Sequence, residues 1–600
     1  MIKGIIFTII VLQALLSCRE KDKNKPETVE SQKLIPNKEE NAPSQNNPNP
    51  GSLPRDEQGQ IPIDPTENLP DSNFNTPLPW LQQQGGRWVD PLGQQVDLVG
   101  TNLGNWLLLE SWMMETGGII HDQCSLEATL SSRFGHGERE RLMDVFRDSW
   151  MTERDWDLMA EFEMNVVRIP FRFNLIEDET RPYNLREDAW QHLDWAIDQA
   201  EKRGMYVILD LHGTVGSQGV HDHSGCAGRN ELWGSEVFRD RTKWLWDKIA
   251  TRYKDRSAIA AYGLLNEPWG TDANTMADFI SELYHVVRKK DPRHIILLHG
   301  HNSGIGAFGH PKDRGMDANV GFEMHFYPGL WGWGQQDYQT HNRWLSCEDG
   351  GHTVCQWQDR LTNLDAVFLV GEFQPWTITG SHGGALGALT VNTYKNLGWA
   401  SSNWSYKTIN KSGTSGEGTH HWPWGMVTNP TPFPAPYVDF NTASVAEIET
   451  MFRGFATVPL MANKPLLTSM TEKNNVPGKV NASQYIHMSG IQTEAGTESL
   501  GQINLSHLDN QDWVSYEIDV KQEGFYQVNL RVASASSGGS AILSQEGKDL
   551  GPEILIPNTG GWQNWSDVEG DVYLKPGRQN FSVWVEKGGW NLAWLRFDRK

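Results

Sequence analysis

Two glutamates in this sequence each follow a short apolar run, and their type points to acid–base chemistry. Glu267 stands in the Leu-Asn-Glu-Pro string at 265–268, and Glu372 stands in the Gly-Glu-Phe string at 371–373. Hydrolysis of a glycosidic bond requires two carboxylates that flank the bond. One protonates the leaving oxygen and the other meets the oxocarbenium-like carbon. Glu267 and Glu372 are therefore candidate catalytic residues.

Polar and aromatic residues stand at the ends of comparable runs and form the candidate substrate-binding set: Arg168, His212, Asn266, His325, Tyr327 and Trp404. Arg168 would keep a carboxylate ionised, and His325 and Tyr327 could hydrogen-bond it. Asn266 could hold a sugar 2-hydroxyl, and Trp404 could form the floor of a sugar subsite. Taken singly, Arg168 or His212 could equally be a structural partner, and Trp404 could be packing.

The elements that must position these residues are predicted from alternating apolar and helical stretches. Candidate strands cover 96–100, 165–171, 206–211, 261–266, 294–299, 320–325, 367–372 and 398–404, with helices such as 187–203 and 275–289 between them. Nearly continuous apolar strands are typical of a parallel sheet buried on both faces. Eight strand–helix units predict an α/β fold, a (β/α)8 TIM barrel, with enlarged loops at 112–150 and 328–365. In such a barrel the strand ends share one face.

The remaining chain divides by composition. Residues 1–18 have a charged start, an apolar run and a terminal cysteine, which predicts a lipoprotein-type signal peptide with Cys18 as the lipidation site. Residues 19–79 are rich in Pro, Asn and charged side chains and predict a disordered tether. Residues 80–465 form the predicted barrel. Residues 475–600 alternate in short segments and predict an all-β jelly-roll sandwich.

Composition narrows the partners. The net charge of −23 disfavours nucleic acid and other polyanions, while 27 tryptophans suit the flat faces of sugars. After Cys18, four cysteines allow three disulfide pairings. The histidines at 221, 223, 420 and 421 lack a third ligand at useful spacing, so we predict no metal, and no glycine-rich loop indicates a cofactor.

Six strings, in order, resemble glycoside hydrolase family 5: those at 104–107, 167–170, 210–213, 265–268, 325–327 and 371–373. The stretches 102–110 and 213–225 look most like its exo-β-1,3-glucanase branch. The resemblance implies that Glu267 is the acid/base and Glu372 the nucleophile of a retaining mechanism. It also carries over the six binding residues named above. We expect the carboxyl groups to lie about 5–5.5 Å apart and the pKa of Glu267 to be raised by burial and by Glu372.

The strings at 509–516, 559–565 and 588–592 resemble a family 6 carbohydrate-binding module over about 476–598. That resemblance implies sugar stacking on Trp562 and a hydrogen bond from Asn591. His507 replaces the usual tyrosine across the cleft. Asn481-Ala482-Ser483 replaces the usual Glu-Ala-Glu, which puts the family's structural calcium in doubt. Alternatively, Trp562 is core and the module only a scaffold.

These features favour an extracytoplasmic, lipid-anchored or secreted monomer that cleaves β-linked glucan. The resemblance makes β-1,3-glucan the best substrate prediction, with exo action if the enlarged loops close one end of the cleft. The alternatives are an endo-β-1,4- or β-1,6-glycanase, a transglycosylase using the same residues, and a non-catalytic glycan-binding surface lipoprotein. Retention of both glutamates favours catalysis.

Overall fold

The structure, a computed structural model, describes residues 77–116, 120–300, 304–347, 353–414, 423–435 and 437–600. The predicted signal peptide, Cys18 and the tether up to residue 76 lie outside these residues, as do the histidines at 420 and 421. Within the ranges given, no helix is both long and apolar enough to span a bilayer.

Eight parallel strands close into a barrel, which confirms the predicted fold class. In chain order they are β1 Val99–Asn102, β2 Val166–Arg172, β3 Tyr206–Gly213, β4 Ile259–Gly263, β5 Ile295–His299, β6 Val320–Phe326, β7 Val367–Phe373 and β8 Ala400–Asn403. A short antiparallel hairpin, Gln82–Gln84 and Arg87–Val89, precedes them. Strands β2, β3 and β7 are buried along their whole length, as expected for a sheet covered on both faces.

The prediction for the fourth strand was wrong at both ends. The strand is Ile259–Gly263, so residues 264–266 lie beyond it. There the amide of Leu264 donates to the carbonyl of Leu297 on β5, while the amide of Asn266 donates to Leu211 on β3. Because the backbone turns between its two neighbours, Asn266 and Glu267 are carried onto the barrel rim.

The helices described around the barrel are α1 Gln123–Phe134, α2 His136–Trp150, α3 Glu153–Glu161, α4 Gln191–Lys202, α5 Glu236–Tyr253, α6 Ala273–Lys290, α7 Tyr338–Leu345, α8 Val354–Leu361, α9 Gly383–Asn396, α10 Val445–Gly454 and α11 Lys464–Thr471. Both enlarged loops are therefore structured: the first contains α1 and α2, and the sixth contains α7 and α8. Helix α10 begins with a capping box, in which Ser444 and Glu447 are bonded reciprocally.

The two cysteine pairs are Cys124–Cys226 and Cys347–Cys355. The second closes a short loop within the enlarged loop that follows β6. The first joins the start of α1 to the loop after β3, a sequence separation of 102 residues. This arrangement of two bridges is one of the three pairings that the sequence left open. The Cys124–Cys226 bridge ties together two loops on the rim that carries the candidate site.

The carboxyl-terminal region is formed by two sheets. Their strands are β9 Asn475–Val476, β10 Gly478–Asn481, β11 His487–Ser489, β12 Gln492–Ala495, β13 Ile503–Leu508, β14 Trp513–Val520, β15 Gly524–Ser534, β16 Gly539–Gln545, β17 Lys548–Asp549, β18 Ile554–Ile556, β19 Gly561–Leu574, β20 Gly577–Lys587 and β21 Trp590–Arg599. One sheet runs β9-β14-β20-β16-β17 and the other β12-β13-β21-β15-β19. Phe581 of the first sheet and Phe597 of the second meet with ring centroids 5.0 Å apart. This confirms the predicted all-β sandwich.

A buried ion pair fastens the chain after β8 to the outer helices. Lys407 and Asp155 at the start of α3 are both fully buried and lie 2.8 Å apart. The hydroxyl of Tyr406 donates to the same carboxylate, at 3.1 Å. These bonds satisfy a charge that would otherwise be stranded away from water.

We predict that Lys407→Met lowers the free energy of unfolding by about 3–5 kcal/mol, because Asp155 is left buried without its counter-charge. Chemical denaturation followed by tryptophan fluorescence measures it. Lys312→Ala is the matched control, since its pair with Asp365 is about half exposed and its removal should cost at most about 1 kcal/mol. Equal losses in the two variants would contradict the role given to burial.

Candidate active site

The two candidate glutamates lie together at the carboxyl ends of β4 and β7. His325 Nδ1 lies 2.6 Å from Glu267 Oε1 and 3.3 Å from Glu372 Oε2. One carboxylate oxygen of Glu267 and one of Glu372 lie within 4.8 Å of each other. Both side chains are partly accessible, 18% for Glu267 and 8% for Glu372. The pair is thus close enough to act on one bond and open to a ligand.

Arg168 lies on β2 beneath this pair and is completely buried. Its guanidinium is 3.4 Å from Glu372 Oε1, 3.0 Å from Asp210 and 2.8 Å from Glu323. It also donates to the amide oxygen of Asn266, at 2.7 Å. Burial disfavours a cation, but these carboxylates raise the pKa of Arg168, so it stays charged. Arg168 therefore holds Glu372 and Asn266 in place at once.

His212 is oriented by a carboxylate that the sequence reasoning did not single out. Its Nδ1 lies 2.6 Å from Asp210 Oδ2, and the amide of Asn266 lies 3.2 Å from its Nε2. Burial and the neighbouring Arg168 lower the pKa of His212 well below its usual value. A neutral ring that donates to Asp210 can accept from Asn266. Trp404 stacks on this ring with centroids 5.5 Å apart and planes 14° from parallel.

Tyr327 and His325 bind the carboxylates from the side of β6. The hydroxyl of Tyr327 donates to Glu372 Oε2 at 2.7 Å. Besides its contacts with the two glutamates, His325 places Nε2 3.4 Å from Glu323. All eight residues predicted from the sequence therefore lie in one cluster. Their placement agrees with the predicted contacts of Arg168, His325 and Tyr327, whereas Asn266 faces protein partners here.

The expected pKa of Glu267 is contradicted by the structure. Burial does raise it, but the histidines at 223, 325 and 299 act in the opposite direction and lower the pKa of Glu267 well below its usual value. The proton lies instead on His325: burial opposes this, yet Glu372 and the bond to Glu267 raise the pKa of His325 to about 10. The prediction considered only burial and Glu372, because the sequence does not show which histidines surround the carboxylate.

Four further residues belong to the site but were not predicted. Asp210 and Glu323 stand two positions before His212 and His325, so strand alternation places them on the same side. That signal was available in the sequence. His223 Nε2 lies 3.3 Å from Glu267 Oε2, and Glu110 comes from the first loop. Both residues stand in the stretches 102–110 and 213–225 that resemble the exo-β-1,3-glucanase branch, but spacing along the chain does not place these loops against the carboxylates.

Glu110 is a buried carboxylate with unused hydrogen-bonding capacity. Its Oε2 accepts from the indole of Trp112 at 2.6 Å, whereas Oε1 has no partner among the described residues. Burial, followed by the charges of Asp222, Glu372 and Glu267, raises the pKa of Glu110 well above its usual value. A buried polar atom without a partner is costly unless a ligand satisfies it. Glu110 is therefore available to a ligand hydroxyl.

Two groups of three residues bring potential metal-ligand atoms within 4.8 Å: His299, Glu323 and His325, and Glu267, His325 and Glu372. The guanidinium of Arg168 already supplies a positive charge to Glu323 and Glu372. Histidines pair with the remaining carboxylate oxygens. We therefore assign no metal to either group.

The sandwich carries its candidate binding residues at one edge. Trp562 at the start of β19 is 47% exposed, which argues against the core alternative, whereas Trp590 is fully buried. The buried amide of Asn591 donates to Glu494 Oε1 at 2.7 Å and to the carbonyl of Trp562 at 2.9 Å. His507 is exposed. An indole face beside an amide suits a sugar ring with its hydroxyls.

Near the Asn481-Ala482-Ser483 string, two side-chain amides contact one carboxylate. The amide of Asn481 donates to Glu472 Oε2 at 3.1 Å, and the amide of Gln484 donates to the same oxygen at 3.0 Å. Glu472 follows α11 and comes from outside the sandwich. Amide hydrogens therefore satisfy Glu472 Oε2, and the absence of the family's calcium stays a prediction.

Comparison with known proteins identifies both parts of the chain. Residues 136–408 match the family model "Cellulase (glycosyl hydrolase family 5)", and residues 481–599 match "Carbohydrate binding module (family 6)". A "Probable glucan 1,3-beta-glucosidase A" of Aspergillus niger is 33% identical over 310 residues, which is 50% of this chain and 69% of that protein. The chain belongs to glycosyl hydrolase family 5. The predicted family resemblance is thus confirmed, and the barrel is a glycosidase domain of family 5.

Two further relatives give the range of similarity within family 5. A "Beta-xylosidase" of Phanerodontia chrysosporium is 31% identical over 254 residues, covering 42% of this chain and 52% of that protein. A "Glucan 1,3-beta-glucosidase" of Blumeria graminis is 34% identical over 289 residues, covering 46% of this chain and 64% of that protein. The chain thus spans about half to two thirds of the length of these relatives.

We predict that Tyr327→Phe lowers kcat/KM about 10–100-fold, because a hydrogen bond to a charged group is lost beside Glu372. Steady-state kinetics on a β-glucoside measures it. Tyr338→Phe is the matched control: this buried tyrosine donates to Thr493 instead of to a candidate catalytic carboxylate. Unchanged kinetics in Tyr327→Phe would remove Tyr327 from the site.

We predict that Trp562→Ala weakens polysaccharide binding by at least about ten-fold, since the exposed indole supplies the stacking face. Affinity gels containing glucan measure the change. Phe525→Ala is the control, because Phe525 is an exposed aromatic elsewhere on the sandwich, packed on Tyr573. If both variants migrate as the parent protein does, the binding assignment is wrong.

Proposed function

We propose that this protein is a retaining β-glucan hydrolase that removes sugars from the end of β-1,3-glucan. The observation that carries the proposal is the separation of the two carboxylates. One oxygen of Glu267 and one of Glu372 lie within 4.8 Å of each other, and this short separation supports a retaining rather than an inverting mechanism. We assign Glu372 as the nucleophile because Arg168 and Tyr327 contact its two carboxylate oxygens and orient it.

The first step needs a proton on Glu267. In the enzyme without substrate, that proton lies on His325. Their 2.6 Å hydrogen bond is a direct path from His325 Nδ1 to Glu267 Oε1. When a sugar displaces water, the low-dielectric pocket favours the neutral acid and neutral imidazole over the ion pair. Glu267 then protonates the leaving oxygen as Glu372 attacks the anomeric carbon, giving a covalent glycosyl-enzyme. In the second step Glu267 removes a proton from water, which releases the sugar and frees Glu372.

Exo action is supported by acidic side chains on the loops around Glu267 and Glu372. The chain after β1 brings Glu110 with its unpartnered oxygen, and the loop after β3 brings Asp222 into electrostatic contact with it. Two acidic side chains on loops beside the catalytic pair can hydrogen-bond the hydroxyls of a terminal sugar, which supports exo action. The glucan 1,3-beta-glucosidases among the relatives support the choice of linkage.

The family 6 module supports a polysaccharide substrate, with Trp562 and Asn591 as the residues that would hold the chain near the barrel. For location we propose the extracytoplasmic side of a membrane, with Cys18 as the lipid anchor. The two disulfides support an oxidising compartment.

We predict that Glu372→Ala lowers kcat by several orders of magnitude on every β-glucoside, because no covalent intermediate can form. Glu267→Ala should lose activity on laminarin but regain part of it on an aryl glucoside when azide is added, yielding the β-glucosyl azide. Product analysis by NMR would also show retention at the anomeric carbon.

Glu282→Ala is the matched control, since this half-exposed glutamate on α6 pairs only with Lys243 in the contacts described. Full turnover in Glu372→Ala, or an inverted first product, would overturn the role assignment. Release of long oligosaccharides at early times would overturn exo action alone.

A further inference from the structure

The loop after β3 presses a second imidazole against the proposed acid/base. A short 3-10 turn, Asp222–Ser224, places His223 Nε2 3.3 Å from Glu267 Oε2. His325 occupies the other carboxylate oxygen, Oε1, at 2.6 Å. Each oxygen of Glu267 thus has its own histidine. Proton transfer requires only one of them, so His223 needs a separate explanation.

Neighbouring rings and a hydrogen-bonded turn hold His223 in place. Its side chain is 20% exposed, and its ring packs edge-on to His212 at 6.2 Å and is stacked on His221 at 5.6 Å. Its Nδ1 is buried and has no partner among the described residues. The hydroxyl of Ser224 closes the turn by donating to the carbonyls of Gly219 and His221. A surface histidine without a role would show neither the packing nor the fixed turn.

The turn is also anchored to the first loop. The disulfide Cys124–Cys226 lies three residues after His223, and the amide of Cys124 donates to the carbonyl of Gly225 at 2.9 Å. The amide of Ala227 donates to the side chain of Asp122 at 2.5 Å. The crosslink and the two hydrogen bonds fix the chain directly after the turn, so the fold restricts the distance from His223 to Glu267.

We propose that His223 is a positioning residue that sets the pH range over which Glu267 can act as an acid. The inference rests on the proposed function, since it assigns a partner to the acid/base of that reaction. His325 divides its interactions among three carboxylates, Glu267, Glu323 and Glu372. His223 contacts only Glu267 among the described carboxylates. Its charge therefore acts chiefly on the protonation of that one group.

The charged and titratable groups around Glu267 come from every neighbouring element: Arg168, Asp210, His212, His221, His223, His299, Glu323, His325, Tyr327, Glu372 and, from the first loop, Glu110. Burial raises the pKa of Glu267, and among the opposing contributions the charge of His223 is the largest. The sign follows directly. His223 lowers the pKa of Glu267, so removing its imidazole must raise that pKa.

The same contact acts on both steps of the reaction. When Glu267 gives its proton to the leaving oxygen, the carboxylate that forms lies next to the imidazole of His223. The neighbouring charge therefore makes Glu267 a stronger acid, while it narrows the pH range in which the acid is protonated. In the second step it keeps Glu267 ionised and ready to accept a proton from water.

The test is the pH profile of kcat/KM for His223→Gln on laminarin, whose leaving group needs protonation. The basic limb reports loss of the proton that Glu267 and His325 share in the free enzyme, and without the charge of His223 beside this pair we expect the limb to move to higher pH by about 1 unit. On 2,4-dinitrophenyl β-glucoside, whose leaving group needs no proton, kcat/KM reports the first step without acid catalysis and should stay within about two-fold of the parent protein. A purely structural role for His223 would lower turnover of both substrates and leave the limb in place.

His221→Gln is the matched control, because it removes an imidazole from the same turn without touching Glu267, and its basic limb should not move. His223→Asn, with a shorter amide, should give the same shift as His223→Gln, and turnover of the dinitrophenyl substrate verifies that each variant is folded. A basic limb that stays in place in both folded His223 variants overturns this inference alone. Absence of turnover by the parent protein on every β-glucoside overturns the proposed function and this inference together.

Discussion

The buried guanidinium of Arg168 is the interaction on which the rest of the site depends. A cation at the centre of a barrel is stable only if carboxylates surround it, since the cost of an unpaired buried charge exceeds several kcal/mol. Asp210, Glu323 and Glu372 meet that requirement. Gly371 makes room for them, because a side chain there would overlap the carboxylate of Glu323. The nucleophile of the proposed reaction is thus also part of the charge balance that holds the barrel core.

Carboxylates outnumber the arginine, and histidines supply the remaining balance. His325 and His299 pack against each other with ring centroids 4.5 Å apart, and burial with the charge of His325 lowers the pKa of His299 to about 3. One imidazole of the two is therefore charged and the other neutral. The charged ring stands beside both Glu267 and Glu372. In a cluster of buried groups that share few protons, a proton can be transferred over a short distance. Glu267 requires such a transfer, because it acts first as an acid and then as a base.

Strand β12 links the sandwich to the barrel. One of its faces contacts helix α7, and the other carries the contacts beside Trp562. On one face Thr493 contacts Tyr338, and its carbonyl accepts from the amide of Asn342, both on α7. On the other face Glu494 accepts from the amides of Gln563 and Asn591 beside Trp562. Successive side chains of a strand point to opposite faces, so one short segment serves both contacts. The proposed sugar-binding edge is thereby fixed to a helix of an enlarged barrel loop.

The sequence by itself determined the barrel, the sandwich and the residues at the strand ends. Apolar runs, strand alternation and the strings around Glu267 and Glu372 are local patterns that can be read along the chain. Because the carboxyl ends of all barrel strands lie at one rim, residues at the strand ends become neighbours there. Only the tertiary structure decided what surrounds each group. His223 and Glu110 arrive on loops more than 40 residues from either glutamate in the chain, and Cys124 pairs with Cys226 across 102 residues. The pKa of Glu267 was predicted with the wrong sign for the same reason: charge–charge interactions depend on distances in space, which spacing along the chain does not give.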